Sequence, residues 1–224
     1  MSFNVAIDGP AGAGKSTIAR KIAKELSYIY VDTGAMYRAM ALFFIQNKVQ
    51  ADDMQHINEL CQQADITIKY QDGEQVVILN GENVNAYIRT EEVGNMASAT
   101  SVNGMVRKKL VELQQKLAKS NDVVMDGRDI GTCVLPNAEV KIYLTASSKV
   151  RANRRYLELK TKNLEANLDK IEKDIIERDH RDMTREISPL KQAGDAVLVD
   201  SSNMDIEQVV DYILTIIRTK KDNI

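Results

Sequence analysis

The stretch Gly9-Pro10-Ala11-Gly12-Ala13-Gly14-Lys15-Ser16 limits what this chain can be more than any other. Two glycines five positions apart, followed by Lys and Ser, make a phosphate-loop pattern. Val5-Ala6-Ile7-Asp8 before it is apolar and strand-like, and residues 17–26 after it have helical periodicity. Glycines let such a loop turn its backbone N–H groups inward around phosphate oxygens, and the following helix aims its positive end at the same anion. Lys15 can then reach the β- and γ-phosphates, and the Ser16 hydroxyl can ligate Mg²⁺. The bland alternative is a Gly- and Ala-rich turn between strand and helix. The ordered strand–loop–helix context favours a nucleotide-phosphate site.

Further along, residues 28–32 read as a short strand broken by Thr33-Gly34, and 35–46 and 52–64 read as helices. The pattern then changes to period two. Residues 66–70 alternate and 75–79 are β-rich, with turn chemistry at Gln71-Asp72-Gly73 and a hairpin signal at Asn80-Gly81. Residues 66–88 are therefore expected to form a small antiparallel meander inserted into an otherwise alternating strand–helix chain. Residues 91–120 read as two helices broken near Val102-Asn103-Gly104. Strands follow at 122–125, 140–144 and 196–199. Helices are expected at 149–162, at 168–186 (stopped by Ser188-Pro189) and at 206–218. Short apolar strands alternating with helices imply an α/β fold, a parallel sheet with helices on both faces. Ligands of such sheets lie at the C-terminal strand ends. The phosphate loop, Asp32-Thr33-Gly34 and Asp126-Gly127-Arg128-Asp129 all follow strands and are expected to converge on one cleft.

A length of 224 residues fits one domain, and 44% hydrophobic with 28% charged residues fits a globular core. With 30 basic and 32 acidic residues, net charge −2, there is no bulk attraction to nucleic acid or an anionic membrane. No apolar run reaches spanning length and no signal-peptide pattern opens the chain, so a cytoplasmic location is expected. Cys61 and Cys133 stand in no paired motif, and neither they nor His56 and His180 have metal-ligand spacing.

Two features remain that could carry chemistry. The apolar run Val123-Val124-Met125 closes on Asp126, which either reaches Mg²⁺ or caps the next segment. The second is arginine: Arg38, Arg107, Arg128, Arg151, Arg154, Arg155, Arg178, Arg181 and Arg185 are many for a slightly acidic protein. Arg178, Arg181 and Arg185 share a helical face, and Arg151 with Arg154 or Arg155 forms another. Two such helices joined by Thr161-Lys162-Asn163 suggest a mobile cover whose guanidinium forks grip phosphate. The alternative is a solvated face paired with acids such as Glu172, Asp174, Glu177, Asp179 and Asp182.

With these residues assembled, the sequence resembles the bacterial cytidylate kinases of the nucleoside monophosphate kinase family. The matching stretches are Asp8 to Ser16, Asp32-Thr33-Gly34-Ala35-Met36-Tyr37-Arg38, Asp126-Gly127-Arg128-Asp129-Ile130-Gly131-Thr132, Arg178-Asp179 with Arg185, and Ser188-Pro189-Leu190. They run in the family's order over nearly the whole chain, and the 66–88 meander matches its extra β-unit. Thr33 stands where Ser is common, keeping the hydroxyl, and Cys133 stands where a β-branched residue is common.

The resemblance implies a phosphate-loop fold with a five-stranded parallel core (1–34, 121–148 and 187–224). It adds a monophosphate-binding part (35–120) and a helical lid (149–186). It implies transfer of the γ-phosphoryl group of ATP to CMP or dCMP, with Mg²⁺, by a monomer that binds neither nucleic acid nor membrane. Gly9, Pro10, Ala11, Gly12, Ala13, Gly14, Lys15, Ser16, Thr17 and Arg154 would bind ATP, with Ser16 and Asp126 serving the metal through water. Arg38, Arg128 and Arg185 would hold the acceptor phosphate, beside Thr33 and Tyr37. Ser98, Arg107 and Asp129 would read cytosine, and Arg178 and Asp182 would contact ribose. Lys15, Arg128, Arg155 and Arg185 would be catalytic, with Arg154 or Arg155 reaching the transferred group. Kinases of other acceptors (uridylate, thymidylate, shikimate) and an RNA-binding regulator are the competing readings. The insertion and the double-Asp motif oppose the first; the charge and the lack of clustered aromatics oppose the second.

Overall fold

The computed structural model describes residues 2–71 and 74–223. In chain order the strands are β1 (Asn4–Asp8), β2 (Ile29–Asp32), β3 (Ile66–Gln71), β4 (Glu74–Leu79), β5 (Glu82–Asn83), β6 (Val123–Gly127), β7 (Val140–Thr145) and β8 (Val197–Asp200). The helices are α1 (Lys15–Leu26), α2 (Thr33–Gln46), α3 (Met54–Cys61), α4 (Glu91–Thr100), α5 (Gly104–Ser120), α6 (Ser148–Thr161), α7 (Leu168–Thr184) and α8 (Ile206–Lys221), with a π-helical turn at Ile130–Val134. Five strands form a sheet in the order β2-β6-β1-β7-β8, and β3-β4-β5 form a second sheet. The chain divides into two compact units, one of Met1–Ile29 with Asp122–Ile224, the other of Tyr30–Asn121.

In the first unit β1 runs parallel to β6 and β7, with Ile7 opposite Asp126 and Ile142. Val5, Ala6, Ile7, Val123, Val124 and Met125 are wholly buried, as the continuous apolar runs of a two-sided sheet require. Ile18, Ala19, Ile22 and Ala23 form the buried stripe of α1, and Val209, Val210, Ile213, Leu214 and Ile217 that of α8. This is the parallel α/β architecture expected from the strand pattern.

In the second unit β3 and β4 pair antiparallel with Tyr70 opposite Gln75, and β4 pairs antiparallel with β5. Asn80 (φ 49°) and Gly81 (φ 88°) are both left-handed, the conformation a tight hairpin turn demands. The expected turn at Asp72-Gly73 lies outside the described residues. The sheet ends at Asn83 rather than near residue 88. The break between α4 and α5 falls where expected, because Asn103 caps α5 by accepting from the N–H groups of Met105 (2.9 Å) and Val106 (3.1 Å).

Several boundaries differ from the periodicity, each for a capping reason. Thr33-Gly34 does not break the chain before α2 but forms its first turn, since the Asp32 carboxylate accepts from Ala35 N at 2.9 Å. The helix expected over 52–64 is shorter because Asp53 caps it and its C-terminal turn ends at Cys61. Helix α7 stops at Thr184, before Ser188-Pro189. Arg185 already has extended backbone (φ −62°, ψ 141°), so it does not continue the Arg178–Arg181 face.

Gly9 and Gly14 test the packing of the loop differently. A Cβ on Gly9 would lie 1.9 Å from the Leu144 carbonyl oxygen of β7, whereas one on Gly14 (φ 90°) would meet nothing within 4 Å. Gly14→Ala should destabilise by about 1–2 kcal/mol through backbone conformation alone, and Gly9→Ala by about 3 kcal/mol or more, because a backbone carbonyl must move. Urea-unfolding midpoints of the two variants check this; equal losses would contradict the contact of Gly9 with β7.

Candidate active site

The phosphate loop is shaped by three glycines with positive φ, Gly9 (150°), Gly12 (75°) and Gly14 (90°). No side chain caps α1, whose N-cap residue is Gly14, so the positive end of the helix is left to an external anion. The Lys15 ammonium is buried and donates to the Pro10 carbonyl at 2.8 Å. Its pKa is lowered from 10.5 to about 7, first by burial and next by the Arg128 guanidinium. Arg178 adds to the lowering, and Asp126 and Asp8 oppose it. The Ser16 hydroxyl donates to an Asp126 carboxylate oxygen at 2.9 Å. Among the described residues no group of three or more His, Cys, Asp and Glu side chains is placed to hold a metal ion. A hydroxyl and one carboxylate suit a hard cation that takes its other ligands from water and phosphate oxygens.

Beyond β6 the backbone turns sharply, and a residue of β1 holds it. The Asp8 carboxylate accepts from Ile130 N and Gly131 N, both at 2.7 Å. Burial raises the Asp8 pKa to about 6 against the lowering effect of these two bonds. The Asp129 carbonyl accepts from both Cys133 N (2.9 Å) and Val134 N (3.2 Å), which makes the π-helical turn. This anchoring fixes the direction of the two side chains just before it. Arg128 Nε donates to Asp182 at 2.9 Å, and Arg185 approaches Asp129 at 3.8 Å while its Nε donates to the Ser188 carbonyl at 2.7 Å. Arg128, Asp129, Asp182 and Arg185 are therefore brought together.

The arginines of α6 divide three ways. Arg151 is buried, donating to the carbonyls of Ala146 (2.8 Å) and Ala11 (2.9 Å) and to Asp179 of α7 (2.6 Å). It is a strut between the phosphate loop and α7, not part of an exposed stripe. Arg154 donates to the Ser201 carbonyl (2.8 Å) and hydroxyl (3.3 Å). Arg155 is exposed and pairs with Glu158 one turn on, at 2.7 Å. Arg178 of α7 is half-buried and acts on Lys15 through its charge.

In the second unit Asp32 organises a second constellation. One carboxylate oxygen caps α2, and the other accepts from Arg38 Nη2 (3.2 Å) and Arg89 Nη2 (3.0 Å). Gly34 leaves room for this pair: a Cβ there would lie 3.2 Å from both Arg38 Nη1 and Asp32 Oδ1, so that one or the other would have to shift. Thr33 is buried in the first turn of α2. The Arg107 guanidinium is buried in α5, 5.8 Å from the centre of the Tyr37 ring, and donates to the Ser101 carbonyl at 3.3 Å. Ser98 is half-buried on α4. Thr33, Tyr37, Arg38 and Arg107 thus sit on α2 and α5, and Ser98 on α4 between them in sequence.

A family model described as cytidylate kinase matches residues 5–219. The chain belongs to the cytidylate kinase family. Curated cytidylate kinases share about half of its residues over nearly full length. That of Lactobacillus gasseri is 51% identical over 221 residues (99% of this chain, 96% of the relative). That of Caldicellulosiruptor bescii is 50% identical over 212 residues (95% and 94%), and that of Carboxydothermus hydrogenoformans 49% over 220 (98% and 99%). Solved structures with similar folds include a gluconokinase from Sinorhizobium meliloti (12% identity, TM-score 0.52, covering 98% of this chain and 94% of that one). An uncharacterised protein from Eubacterium ventriosum is another (12%, 0.56, 97% and 99%). At these identities the likeness is one of α/β fold alone. No helix among the described residues is long and apolar enough to cross a membrane.

The structural roles of Asp8, Arg89 and the buried Arg151 leave no signal in the sequence pattern, because each depends on partners distant in the chain. The Lys15 ammonium gives a pH test. A phosphate anion favours the charged form, so it raises the lowered pKa, and binding above about pH 7 must take up protons and weaken as pH rises. Calorimetric titration with inorganic triphosphate at pH 8, in buffers of different ionisation enthalpy, should show an uptake approaching one proton per site relative to Lys15→Arg, whose guanidinium stays charged. Equal proton counts in the two proteins would contradict the buried-ammonium account.

Proposed function

We propose that this protein transfers the γ-phosphoryl group of ATP to CMP or dCMP, giving CDP or dCDP and ADP. The observation that carries the reading is a set of guanidinium groups parked on carboxylates beside strand ends, Arg128 on Asp182 and Arg38 on Asp32, in a chain that also holds a phosphate loop with a buried lysine. Arginines ordered in this way can exchange a carboxylate for an incoming phosphate without being reorganised.

In this reading residues 9–17 and Arg154 hold ATP. Mg²⁺, when bound near Ser16 and Asp126, neutralises charge on the phosphates. Arg38, Arg128 and Arg185 hold the acceptor phosphate, beside Thr33 and Tyr37. Arg178 and Asp182 meet the ribose. Cytosine presents an amino donor and the acceptors N3 and O2; Asp129 supplies the matching acceptor, and Arg107 and Ser98 the donors. The attacking group is a phosphate oxygen that is already anionic, so no general base is needed. Lys15 and the arginines act by position and charge, where charge spreads over the transferred group. The segment 149–186 is the lid. Its closure excludes water as a competing acceptor and brings Arg155 from Glu158 onto the reacting phosphates.

Two outcomes check the reading. Lys15→Ala should keep fold and CMP binding and lower kcat by about 10²–10³-fold or more; near-normal turnover would refute the assignment of the loop. In a coupled assay across nucleoside monophosphates, CMP and dCMP should exceed UMP and GMP by at least about tenfold in kcat/KM, because a mismatched base leaves Asp129 or Arg107 unpaired. A tenfold preference for UMP or GMP would refute the substrate.

A further inference from the structure

The antiparallel insertion holds the acceptor motif with the side chains of a register pair, Tyr70 and Gln75. Strand β2 lies at an edge of the five-stranded sheet, so it has a row of backbone groups that no neighbouring strand pairs. Residues 30 and 32 are two apart, and their backbone groups face the same way. Gln75 takes both groups of Asp32: Gln75 Oε1 accepts from Asp32 N at 2.7 Å, and Gln75 Nε2 donates to the Asp32 carbonyl at 3.3 Å. The Tyr70 hydroxyl donates to the Tyr30 carbonyl at 3.0 Å. Tyr70 and Gln75 are direct cross-strand partners. Asn85 steadies the strand that carries Gln75, donating to the Gln75 carbonyl at 2.9 Å and accepting from Val77 N at 3.0 Å.

The residue held in this way is the one on which the motif hinges. Asp32 caps α2, which carries Thr33, Tyr37 and Arg38, and its second carboxylate oxygen holds Arg38 and Arg89. Rotation of the Asp32 backbone would shift the cap and the Arg38 guanidinium together. We propose that Gln75, assisted by Tyr70, is a positioning residue for the acceptor nucleotide: it fixes the Asp32 backbone and, through the Asp32 carboxylate, the orientation of Arg38. The inference rests on the reading of Arg38 as an acceptor-phosphate ligand. It gives the insertion a function in acceptor binding, exerted without touching the substrate.

The test is steady-state kinetics of Gln75→Met, similar in length without the amide, and of Tyr70→Phe, which removes only the hydroxyl, beside Arg38→Ala and the unmodified protein. Gln75→Met should raise the KM for CMP about tenfold and Tyr70→Phe about threefold, while the KM for ATP and the kcat at saturating CMP stay within about twofold. A merely structural clip would lower the melting temperature without this split. A CMP KM within twofold of the unmodified value in both variants, or equal rises for ATP and CMP, overturns the proposal. If Gln75→Met does not fold, Tyr70→Phe decides by the same criterion. If Arg38→Ala itself leaves the CMP KM unchanged, the acceptor-site reading fails and the proposal falls with it. If Arg38→Ala raises the KM and the hairpin variants do not, only the proposal fails.

Discussion

The ammonium of Lys15 is buried with one carbonyl for a hydrogen-bond partner, and the first unit is built around holding it there. Burial outweighs the nearby carboxylates of Asp126 and Asp8, and the guanidinium groups of Arg128 and Arg178 push the same way as burial. A cation kept in such surroundings is strained towards losing its proton, and a polyanion relieves that strain more than any other ligand. The supporting contacts follow from this need. Gly9 lets the loop lie against the Leu144 carbonyl, Arg151 fixes the Ala11 carbonyl, and Asp8 ties the end of β1 to the turn after β6. Each leaves the loop's shape set in advance of any ligand, so phosphate binding need not order the backbone.

The arginine–carboxylate pairs look alike in sequence but differ in what they can do. Arg155 and Glu158 are both exposed, and an ion pair of that kind is worth about 0–1 kcal/mol. A phosphate can compete it away, so Arg155 is free to change partners. Arg151 is buried and the Asp179 side chain keeps only 13% of its surface, and Arg151 also satisfies two carbonyls; removing either partner would strand a charge, at a cost of about 3–5 kcal/mol. That pair belongs to the scaffold. Arg128 with Asp182 and Arg38 with Asp32 lie between these limits, each arginine side chain keeping 21% of its surface exposed, which suits residues that must be ordered and still reachable.

Much of this was legible in the sequence because it is local. The phosphate loop, the apolar strands ending in Asp32 and Asp126, and the break between α4 and α5 are written in adjacent residues. Misplaced boundaries trace to side-chain caps, Asp32 at α2 and Asp53 at α3, which helical periodicity does not register. The stripe spacing of Arg151 was read correctly but its direction was not, because its partners are carbonyls from other parts of the chain. The π-helical turn could not be read at all: it depends on Asp8, 122 and 123 residues away from the N–H groups it accepts. The same holds for Gln75, whose link to Asp32 spans 43 residues and leaves no periodic trace.

In the proposed reaction the loop delivers its phosphoryl group directly to a cytidine nucleotide. A single-turnover reaction with ATP labelled in the γ-phosphoryl group, quenched in the presence of CMP, tests it most directly. The label should appear in the β-phosphate of CDP, with none on the protein and little in inorganic phosphate. Label released chiefly as inorganic phosphate at saturating CMP, or trapped covalently on the protein, would contradict the account.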